Sequence, residues 1–385
     1  MVTDKQINEL FTRQQERHKQ ITQVINREQK TGYPTGLTHI MEHSMLEKIA
    51  GMKGYVENPT AVYRQAALNI GVSFIDQWIP DNPLVMGAEG YEDAEATATT
   101  GAEKIIMDGM EINEPEDVCI HMEKHHFPQL QKLIREFNEE DHIRKIGLSE
   151  YEQQMETGEE FLKTGYGYIG FPELHYYTYG YENYFSAYAL EPEMMEQCFT
   201  LESDYALLCN RAAVKAVQRY NLPKLFRLDH DMTDSRGTLV DIKSLERMWF
   251  PNLYRALEPI MNTDIRVIWH CDGNCMQMVP LLLETGIQGF QGFQYEDGMD
   301  YAKICKMRDK DGQPLFIWAG ASVTRTLPFG TPDDVSRELA YLVDNHDKAQ
   351  LVLSVTSSVT PGVKWENLQA LIEGLQYYRN YTGGK

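Results

Sequence analysis

Short apolar runs alternate with longer segments of helical periodicity through the second half of the chain. The apolar runs cover residues 166–171, 225–228, 265–269, 287–290, 315–318 and 351–355. Apolar residues recur at helical spacing between most of them, over residues 203–220, 242–261, 276–284 and 332–344. This order of strands and helices is typical of parallel βα units. In a chain of 385 residues it predicts an α/β fold of the (β/α)8 TIM-barrel type rather than an open doubly wound sheet.

Two additions to the barrel are predicted from the first half of the chain. Residues 1–60 have the pattern of an N-terminal helical extension, in which Thr3 can cap the first helix. Residues 111–163 are rich in charge and mostly helical in pattern, which is typical of solvated decoration at the edge of a barrel. We therefore interpret residues 1–385 as a single β/α-barrel domain that carries both additions.

Composition and charge narrow the class of protein. Hydrophobic residues make up 42% of the chain and charged residues 24%, as in an ordinary globular protein. The formal net charge of −21 argues against nucleic acid or an anionic membrane surface as a partner. The first 30 residues are polar, and no apolar run approaches the length of a membrane span. The six cysteines show no Cys-x-x-Cys spacing, so a reducing cytoplasm is the predicted location.

Side chains that can bind a metal directly follow two of the predicted strands. His270 and Asp272 come after the run 265–269, and residues i and i+2 of extended backbone point the same way. Glu296 follows the run 287–290, and strand ends of a barrel meet at one face. We therefore predict a metal site formed by His270, Asp272 and Glu296, suited to zinc, manganese or iron. Cys271 is an alternative ligand if the turn begins there, and it would favour zinc.

Other polar residues near the strand ends are candidates for catalysis and substrate binding. Asp229 and Asp231 follow the run 225–228, where they could orient the histidine or the substrate, or simply cap a helix. With Glu296 they are the predicted catalytic residues. The predicted substrate-binding residues are Glu173, His175, Tyr177, Tyr181, Asn274 and Gln294. The tyrosine-rich run 176–184 would form a wall of the pocket, although packing alone also explains such a run.

Several motifs resemble those of the uroporphyrinogen decarboxylase superfamily. They are Leu228-Asp-His-Asp231, Gly237-Thr-Leu-Val240, His270-Cys-Asp-Gly-Asn274, Gln294-Tyr-Glu296, Trp318-Ala-Gly-Ala321 and Pro361-Gly-Val-Lys-Trp-Glu-Asn367. The resemblance is clear over residues 226–376 and implies a β/α barrel. The true decarboxylases have an arginine-rich segment near the N-terminus, and this chain has none like it. The chain therefore looks more similar to the cobalamin-dependent methyltransferases of the superfamily.

The resemblance to that branch is incomplete at its zinc site. The zinc ligands of the branch are the histidine and cysteine of a His-x-Cys motif and a later cysteine. Here His270 matches the histidine, Asp272 takes the place of the first cysteine, and residues 354–360 contain no cysteine. The resemblance implies methyl transfer between a small-molecule substrate and a corrinoid such as methylcobalamin. It also implies a separate corrinoid protein as the partner, and zinc or another divalent metal at the barrel face.

Two other functions stay open from the sequence. A decarboxylase-like lyase acting on a small or tetrapyrrole acid would need cations, and the nearby candidates are Arg227, Arg266 and Arg325. Arg227 and Arg266 lie on predicted strands, and we expect them to alternate away from the site. A catalytically inactive barrel that binds a small molecule is the other alternative, because the later cysteine is missing. Whether the chain forms a homodimer also stays open.

Overall fold

The computed structural model describes residues 2–28, 31–81 and 104–382. Its helices are α1 (Asp4–Arg17), α2 (Lys19–Ile25), α3 (His43–Ala50), α4 (Pro59–Ile70), α5 (Pro115–His121), α6 (Phe127–Arg135), α7 (Glu139–Thr157), α8 (Tyr176–Tyr179), α9 (Tyr181–Leu190), α10 (Pro192–Tyr220), α11 (Ile242–Ser244), α12 (Phe250–Met261), α13 (Val279–Glu284), α14 (Tyr301–Lys306), α15 (Thr326–Phe329), α16 (Pro332–Asn345) and α17 (Trp365–Arg379). Its strands are β1 (Phe74–Ile75), β2 (Ile106–Met107), β3 (Met110–Glu111), β4 (Leu162–Lys163), β5 (Gly165–Tyr166), β6 (Leu225–Asp229), β7 (Thr233–Asp234), β8 (Gly237–Thr238), β9 (Arg266–His270), β10 (Gly289–Gln291), β11 (Phe316–Ala321) and β12 (Gln350–Val355). Two π-helical turns (Met122–His126 and Leu245–Trp249) and a 3-10 turn (Tyr295–Asp297) are also present.

Six parallel strands form the central sheet, in the order β12-β11-β10-β9-β6-β5. Every residue of β9, β11 and β12 is buried, as expected for a parallel sheet that helices cover. Five of the predicted strands overlap with β6, β9, β10, β11 and β12, so the predicted α/β fold with a parallel sheet is confirmed. The run 166–171 forms only the short strand β5, because Gly167 has a φ of +77°, which is incompatible with extended backbone.

Backbone pairing continues beyond both edges of the central sheet. At one edge β5 follows β4 directly, and β4 pairs in parallel with β1. At the other edge the Gly36 N–H donates to the carbonyl of Leu353 in β12 at 2.9 Å. The Ser73 N–H donates to the carbonyl of Thr35 at 2.8 Å. The segment around Thr35 therefore bonds to β12 on one side and to the residue before β1 on the other.

The two predicted additions are mainly helical, and both contact the rest of the fold. Thr3 caps α1 through a reciprocal pair of bonds, in which the Gln6 N–H donates to Thr3 Oγ1 at 3.3 Å and the Thr3 N–H donates to Gln6 Oε1 at 2.9 Å. Within residues 111–163, α7 buries Glu150, whose Oε1 accepts from Lys163 Nζ of β4 at 2.9 Å. Burial raises the pKa of Glu150, and Lys163 opposes that rise. This buried ion pair ties α7 to the sheet, so α7 is more than a solvated decoration.

The longest helix, α10, packs against both α7 and α12. Its buried positions are mostly small, including Ala206, Ala212, Ala213 and Ala216, and small side chains allow close helix packing. In the described part of the chain, no helix combines the length and the apolar character needed to cross a bilayer.

Candidate active site

The ends of β6 and β9 place acidic and imidazole side chains beside one another. Asp229, the last residue of β6, pairs in register with His270, the last residue of β9. Asp231 lies two residues beyond Asp229. One potential ligand atom from each of Asp229, Asp231 and His270 lies within 4.8 Å of the other two. We call these three residues the first cluster.

The orientation of His270 is set by a backbone carbonyl. Its Nδ1 lies 3.2 Å from the carbonyl oxygen of Gln291, which can only accept, so the proton of the neutral ring is on Nδ1. Nε2 then lies 3.9 Å from Asp229 Oδ1 and 3.7 Å from Asp272 Oδ1. Burial alone would lower the pKa of His270, but the charges of these two carboxylates outweigh it and raise the pKa. The ring is therefore held with one nitrogen aimed at carboxylate oxygens.

Gly292 leaves the space that the imidazole of His270 occupies. Its φ is +77°, a left-handed conformation that glycine adopts without strain. A Cβ at this position would lie 2.8 Å from the carbonyl oxygen of Thr356 and 3.0 Å from His270 Nδ1. Any larger residue would therefore push against both the backbone and the ring.

Arg227 supports Asp229 from two residues earlier on the same strand. Its Nη1 donates to Asp229 Oδ2 at 2.6 Å, its Nε donates to Asp76 Oδ2 at 2.6 Å, and its Nη2 donates to Gln77 Oε1 at 2.8 Å. Burial opposes the charge of Asp229, but His270 and Arg227 outweigh burial and lower the pKa of this carboxyl. Asp229 is therefore held as a carboxylate.

The two strand arginines differ in where they point. The expectation that Arg227 alternates away from the site was wrong, because positions i and i+2 of a strand share a face and Arg227 lies on the face of Asp229. Arg266 begins β9, and its Nη1 donates to the carbonyl of Val24 at 3.1 Å, at the opposite end of the strand from His270. Arg266 is therefore a structural residue outside the site.

Asp272 contacts the first cluster through both its backbone N–H and its side chain. Its N–H donates to Asp231 Oδ1 at 2.7 Å, and its Oδ2 accepts from Ser357 Oγ at 2.9 Å. The other carboxylate oxygen, Oδ1, is buried and has no hydrogen-bond partner among the described residues. Burial raises the pKa of Asp272. A cation shared with Nε2 of His270 would satisfy this oxygen, so the side chains present fit a metal ion.

The other two predicted ligands have different partners. Glu296 lies in the 3-10 turn, where its Oε1 accepts hydrogen bonds from the hydroxyls of Ser322, at 2.6 Å, and Thr324. Cys271 Sγ accepts from the Met232 N–H at 3.2 Å, and burial raises the pKa of the Cys271 thiol. The structure thus brings His270 and Asp272 together and places Asp229 and Asp231 next to them, while Glu296 and Cys271 are bonded elsewhere.

Four of the predicted substrate-binding residues lie in and around α8. Glu173 accepts from the hydroxyl of Tyr177, whose side chain is partly exposed. His175 precedes α8, and its Nε2 is in hydrogen-bond contact with Glu202 of α10. Tyr181 begins α9 and is 49% exposed, so its ring is available to a ligand. We call these four residues the outer wall. Glu173 and His175 line a cavity of about 440 Å³, and none of the four lines the cavity that Asp229 and His270 share.

His230 and Tyr176 join this wall to the first cluster. The Leu174 N–H donates to His230 Nε2 at 2.8 Å, and the rings of Tyr176 and His230 stack with their centroids 5.9 Å apart. The Tyr176 hydroxyl donates to the carbonyl of Asp231 at 2.7 Å. Burial lowers the pKa of His230 to about 4, which keeps the ring neutral and able to accept at Nε2.

The remaining two predicted substrate-binding residues shape the turn after β9. Gln294 Oε1 accepts from the Gly273 N–H, and Asn274 Oδ1 accepts from the Met276 N–H at 3.2 Å. Both amide oxygens are therefore bonded to the backbone, and they stabilise the loop that carries Asp272.

A cavity of about 180 Å³ lies beside the first cluster. Besides Asp229 and His270, it is lined by His39, Asp76, Arg227 and Trp318, which the sequence analysis did not identify as site residues. The spacing of Arg227 and Asp229 could have revealed the arginine. Asp76 directly follows β1, so the strand-end rule that marked Asp229 and His270 could also have identified it. His39 comes from a segment without a clear strand pattern, so no comparable signal marked it.

Comparisons with known proteins agree with this architecture. A family model described as uroporphyrinogen decarboxylase (URO-D) matches residues 177–378, which is more than half of the chain. Among solved structures, a methyltransferase from Methanosarcina mazei is similar with a TM-score of 0.55 and 12% sequence identity, over 94% of this chain and 98% of that chain. At this identity the similarity shows the fold alone. No curated protein sequence matches the chain. The chain belongs to the uroporphyrinogen decarboxylase family.

Proposed function

We propose that the protein is a metal-dependent methyltransferase, which moves a methyl group between a small substrate and a corrinoid carried by a separate protein. The observation that carries this proposal is the convergence of His270 Nε2 with carboxylate oxygens, one of which, Asp272 Oδ1, is buried without a hydrogen-bond partner among the described residues. A protein that shares this fold is a methyltransferase, and the proposal extends that reaction class to this chain.

We also propose that the parallel strands form a closed (β/α)8 barrel. The hydrogen bonds from Gly36 to Leu353 and from Ser73 to Thr35 support closure, because they connect β12 to the chain just before β1. In such a barrel the first cluster lies at the carboxyl-terminal mouth, where enzymes of this fold place their catalytic groups.

The metal would be held by His270 Nε2 and by oxygens of Asp229, Asp231 or Asp272. One imidazole with carboxylates suits zinc, manganese or iron. When bound, such an ion supplies Lewis-acid chemistry, which lowers the pKa of a thiol or hydroxyl or polarises a methoxyl oxygen. The carbonyl of Gln291 keeps the proton of His270 on Nδ1 and leaves Nε2 as the ligand atom. Arg227 offsets part of the negative charge around the ion.

The size of the cavity favours a small substrate. At about 180 Å³ the cavity is too small to enclose a tetrapyrrole. Among the described residues that line it, Arg227 is the only arginine or lysine, and three of its five N–H donors are bonded to Asp76, Asp229 and Gln77. Before an ion binds, a substrate carboxylate would meet two carboxylates, Asp76 and Asp229, against this one arginine. The small volume is therefore the argument against a decarboxylase acting on a tetrapyrrole acid.

Metal content and methyl transfer test the proposal together. Relative to the parent protein, His270→Ala and Asp272→Asn should each lose one equivalent of bound metal. Both variants should also lose methyl transfer between cobalamin and thiol or methoxylated substrates. His346→Ala is the matched control, because His346 precedes β12 at the opposite end of the strands from the first cluster.

Two results would overturn the proposal. One is a His270→Ala protein that retains full transfer activity, which would exclude the first cluster. The other is a parent protein that, after loading with zinc, manganese or iron, transfers no methyl group to or from cobalamin with either substrate class.

A further inference from the structure

A second group of metal-binding side chains lies outside the cavity and outside the first cluster. His126, His175, Cys198 and Glu202 each offer one potential ligand atom, and these four atoms all lie within 4.8 Å of one another. We call these four residues the second cluster. They come from three separate elements: a π-helical turn, the residue before α8, and α10.

Two members of the second cluster share one face of α10. Cys198 and Glu202 are four residues apart, which places their side chains one helical turn apart on the same side. Cys198 is 1% exposed and Glu202 is 9% exposed. A thiol and a carboxylate are therefore presented together in a buried position.

The two histidines approach Glu202 from opposite elements. His175 Nε2 is in hydrogen-bond contact with Glu202 Oε1, and His126 Nε2 lies 3.5 Å from the same oxygen. The second oxygen, Oε2, accepts from the Glu173 N–H at 3.1 Å. Oε1 of Glu202 therefore lies between the two imidazoles, while Oε2 is bonded to the backbone.

One atom of the second cluster is left unsatisfied by protein contacts. His126 Nε2 is buried, and its contact with Glu202 Oε1, at 3.5 Å, does not have the geometry of a hydrogen bond. Buried polar nitrogen atoms nearly always have a partner. The nitrogen faces the thiol and the carboxylate, so an ion between them would supply the missing partner.

We propose that the second cluster binds one zinc ion. Two imidazole nitrogens, a thiolate and a carboxylate oxygen form the four-coordinate N, S and O donor set that zinc prefers. A sulfur and two nitrogens disfavour magnesium and calcium, which prefer oxygen ligands. Four protein ligands complete the tetrahedral coordination, which is typical of structural zinc rather than catalytic zinc.

A cavity gives an ion access to the second cluster, and a bound ion there would have a structural role. His175 and Glu202 line a cavity of about 440 Å³, through which an ion can reach the second cluster. The bound ion would fasten the segment around His175 to α10. The next residue, Tyr176, donates to the carbonyl of Asp231 and stacks on His230. The second ion would therefore hold Tyr176 in its contact with Asp231 of the first cluster.

Zinc content of the full-length protein tests the proposal. Cys198→Ser and His126→Gln should each lose one equivalent of zinc relative to the parent, and both should retain the metal of the first cluster. Cys209→Ser is the matched control, because Cys209 is a buried cysteine of the same helix outside the second cluster. Unchanged zinc content in folded Cys198→Ser protein would overturn the proposal.

Cobalt substitution gives a readout that does not depend on a variant folding. Cys198 is the only cysteine in either cluster, so protein reloaded with cobalt(II) should show a thiolate-to-cobalt charge-transfer band in the near ultraviolet. The band should persist in His270→Ala and disappear in Cys198→Ser. A parent protein that shows no such band after cobalt loading refutes zinc binding at the second cluster. A band lost in His270→Ala and kept in Cys198→Ser would assign the thiolate to Cys271 instead, which also refutes it.

Discussion

Replacement of Gly292 by alanine tests whether the space beside His270 controls the first cluster. The new Cβ would lie 2.8 Å from the carbonyl oxygen of Thr356 and 3.0 Å from His270 Nδ1. The backbone carbonyl cannot move far, so the imidazole must shift. That shift disturbs the contact between Nδ1 and the carbonyl of Gln291, which orients Nε2.

The loss of stability in Gly292→Ala has two causes, backbone strain and overpacking, and a matched glycine separates them. Gly312 has a φ of +73°, close to the +77° of Gly292, but a Cβ there meets nothing within 4 Å. Gly312→Ala should therefore lower the free energy of unfolding by the backbone strain alone, about 1–2 kcal/mol. Gly292→Ala adds overpacking, which brings the expected loss to about 2–5 kcal/mol. Loss of the orienting contact should weaken metal binding at the first cluster about 10–100-fold.

Urea denaturation measures the two losses of stability, and competition with a chromophoric chelator measures the metal affinity. Gly312→Ala should bind metal at the first cluster as tightly as the parent. The reasoning is refuted if Gly292→Ala binds metal with unchanged affinity and is destabilised no more than Gly312→Ala. In that case the ring of His270 would not depend on the space that Gly292 leaves.

Three other perturbations probe charges in the fold. Arg227→Met should lower the free energy of unfolding by about 3–5 kcal/mol in urea denaturation, because the buried carboxylate of Asp76 and the partly buried one of Asp229 lose their cation. In chelator-treated protein, stability should fall as the pH rises above about 6.5, because the folded-state pKa of His270 is raised and the stabilising proton is lost on passing through it. His270→Gln should reduce that slope in denaturation curves recorded across the pH range. Lys163→Met should cost about 3–5 kcal/mol by leaving Glu150 unpaired, and a second change, Glu150→Leu, should recover much of the loss in thermal unfolding.

The strands were predictable because their signal is local. Apolar runs bounded by polar residues predicted β6, β9, β10, β11 and β12, and parallel pairing then placed their carboxyl ends together. The alternation of strand side chains likewise predicted that His270 and Asp272 share a side, and their Nε2 and Oδ1 atoms lie 3.7 Å apart. The same rule, applied to Arg227 and Asp229, would have placed the arginine in the site.

Side chains beyond the strand ends were harder to predict, because turns rather than strand periodicity decide where they point. Glu296 falls in a 3-10 turn, and the hydroxyls of Ser322 and Thr324, from the loop after β11, bond to its carboxylate. Neither hydroxyl is near Glu296 in sequence, so no local pattern shows that this carboxylate is already bonded. The prediction of Glu296 as a metal ligand used only its position after a strand. That position places the residue near the site, but it does not determine where the side chain points.

The second cluster shows the same limit more strongly. Its histidines lie 49 residues apart, at 126 and 175. His175 follows the apolar run 166–171 and was predicted to bind substrate, whereas His126 follows no predicted strand. Cys198 and Glu202 carry a different local signal, since four-residue spacing on a helix places them on one face. That signal is weak, because a buried cysteine on a helix is most often simple packing. What turns the pair into a metal-binding group is the packing of α10 against the turn that carries His126 and the segment that carries His175. The two clusters thus differ in origin, because strand register assembles the first and helix packing assembles the second.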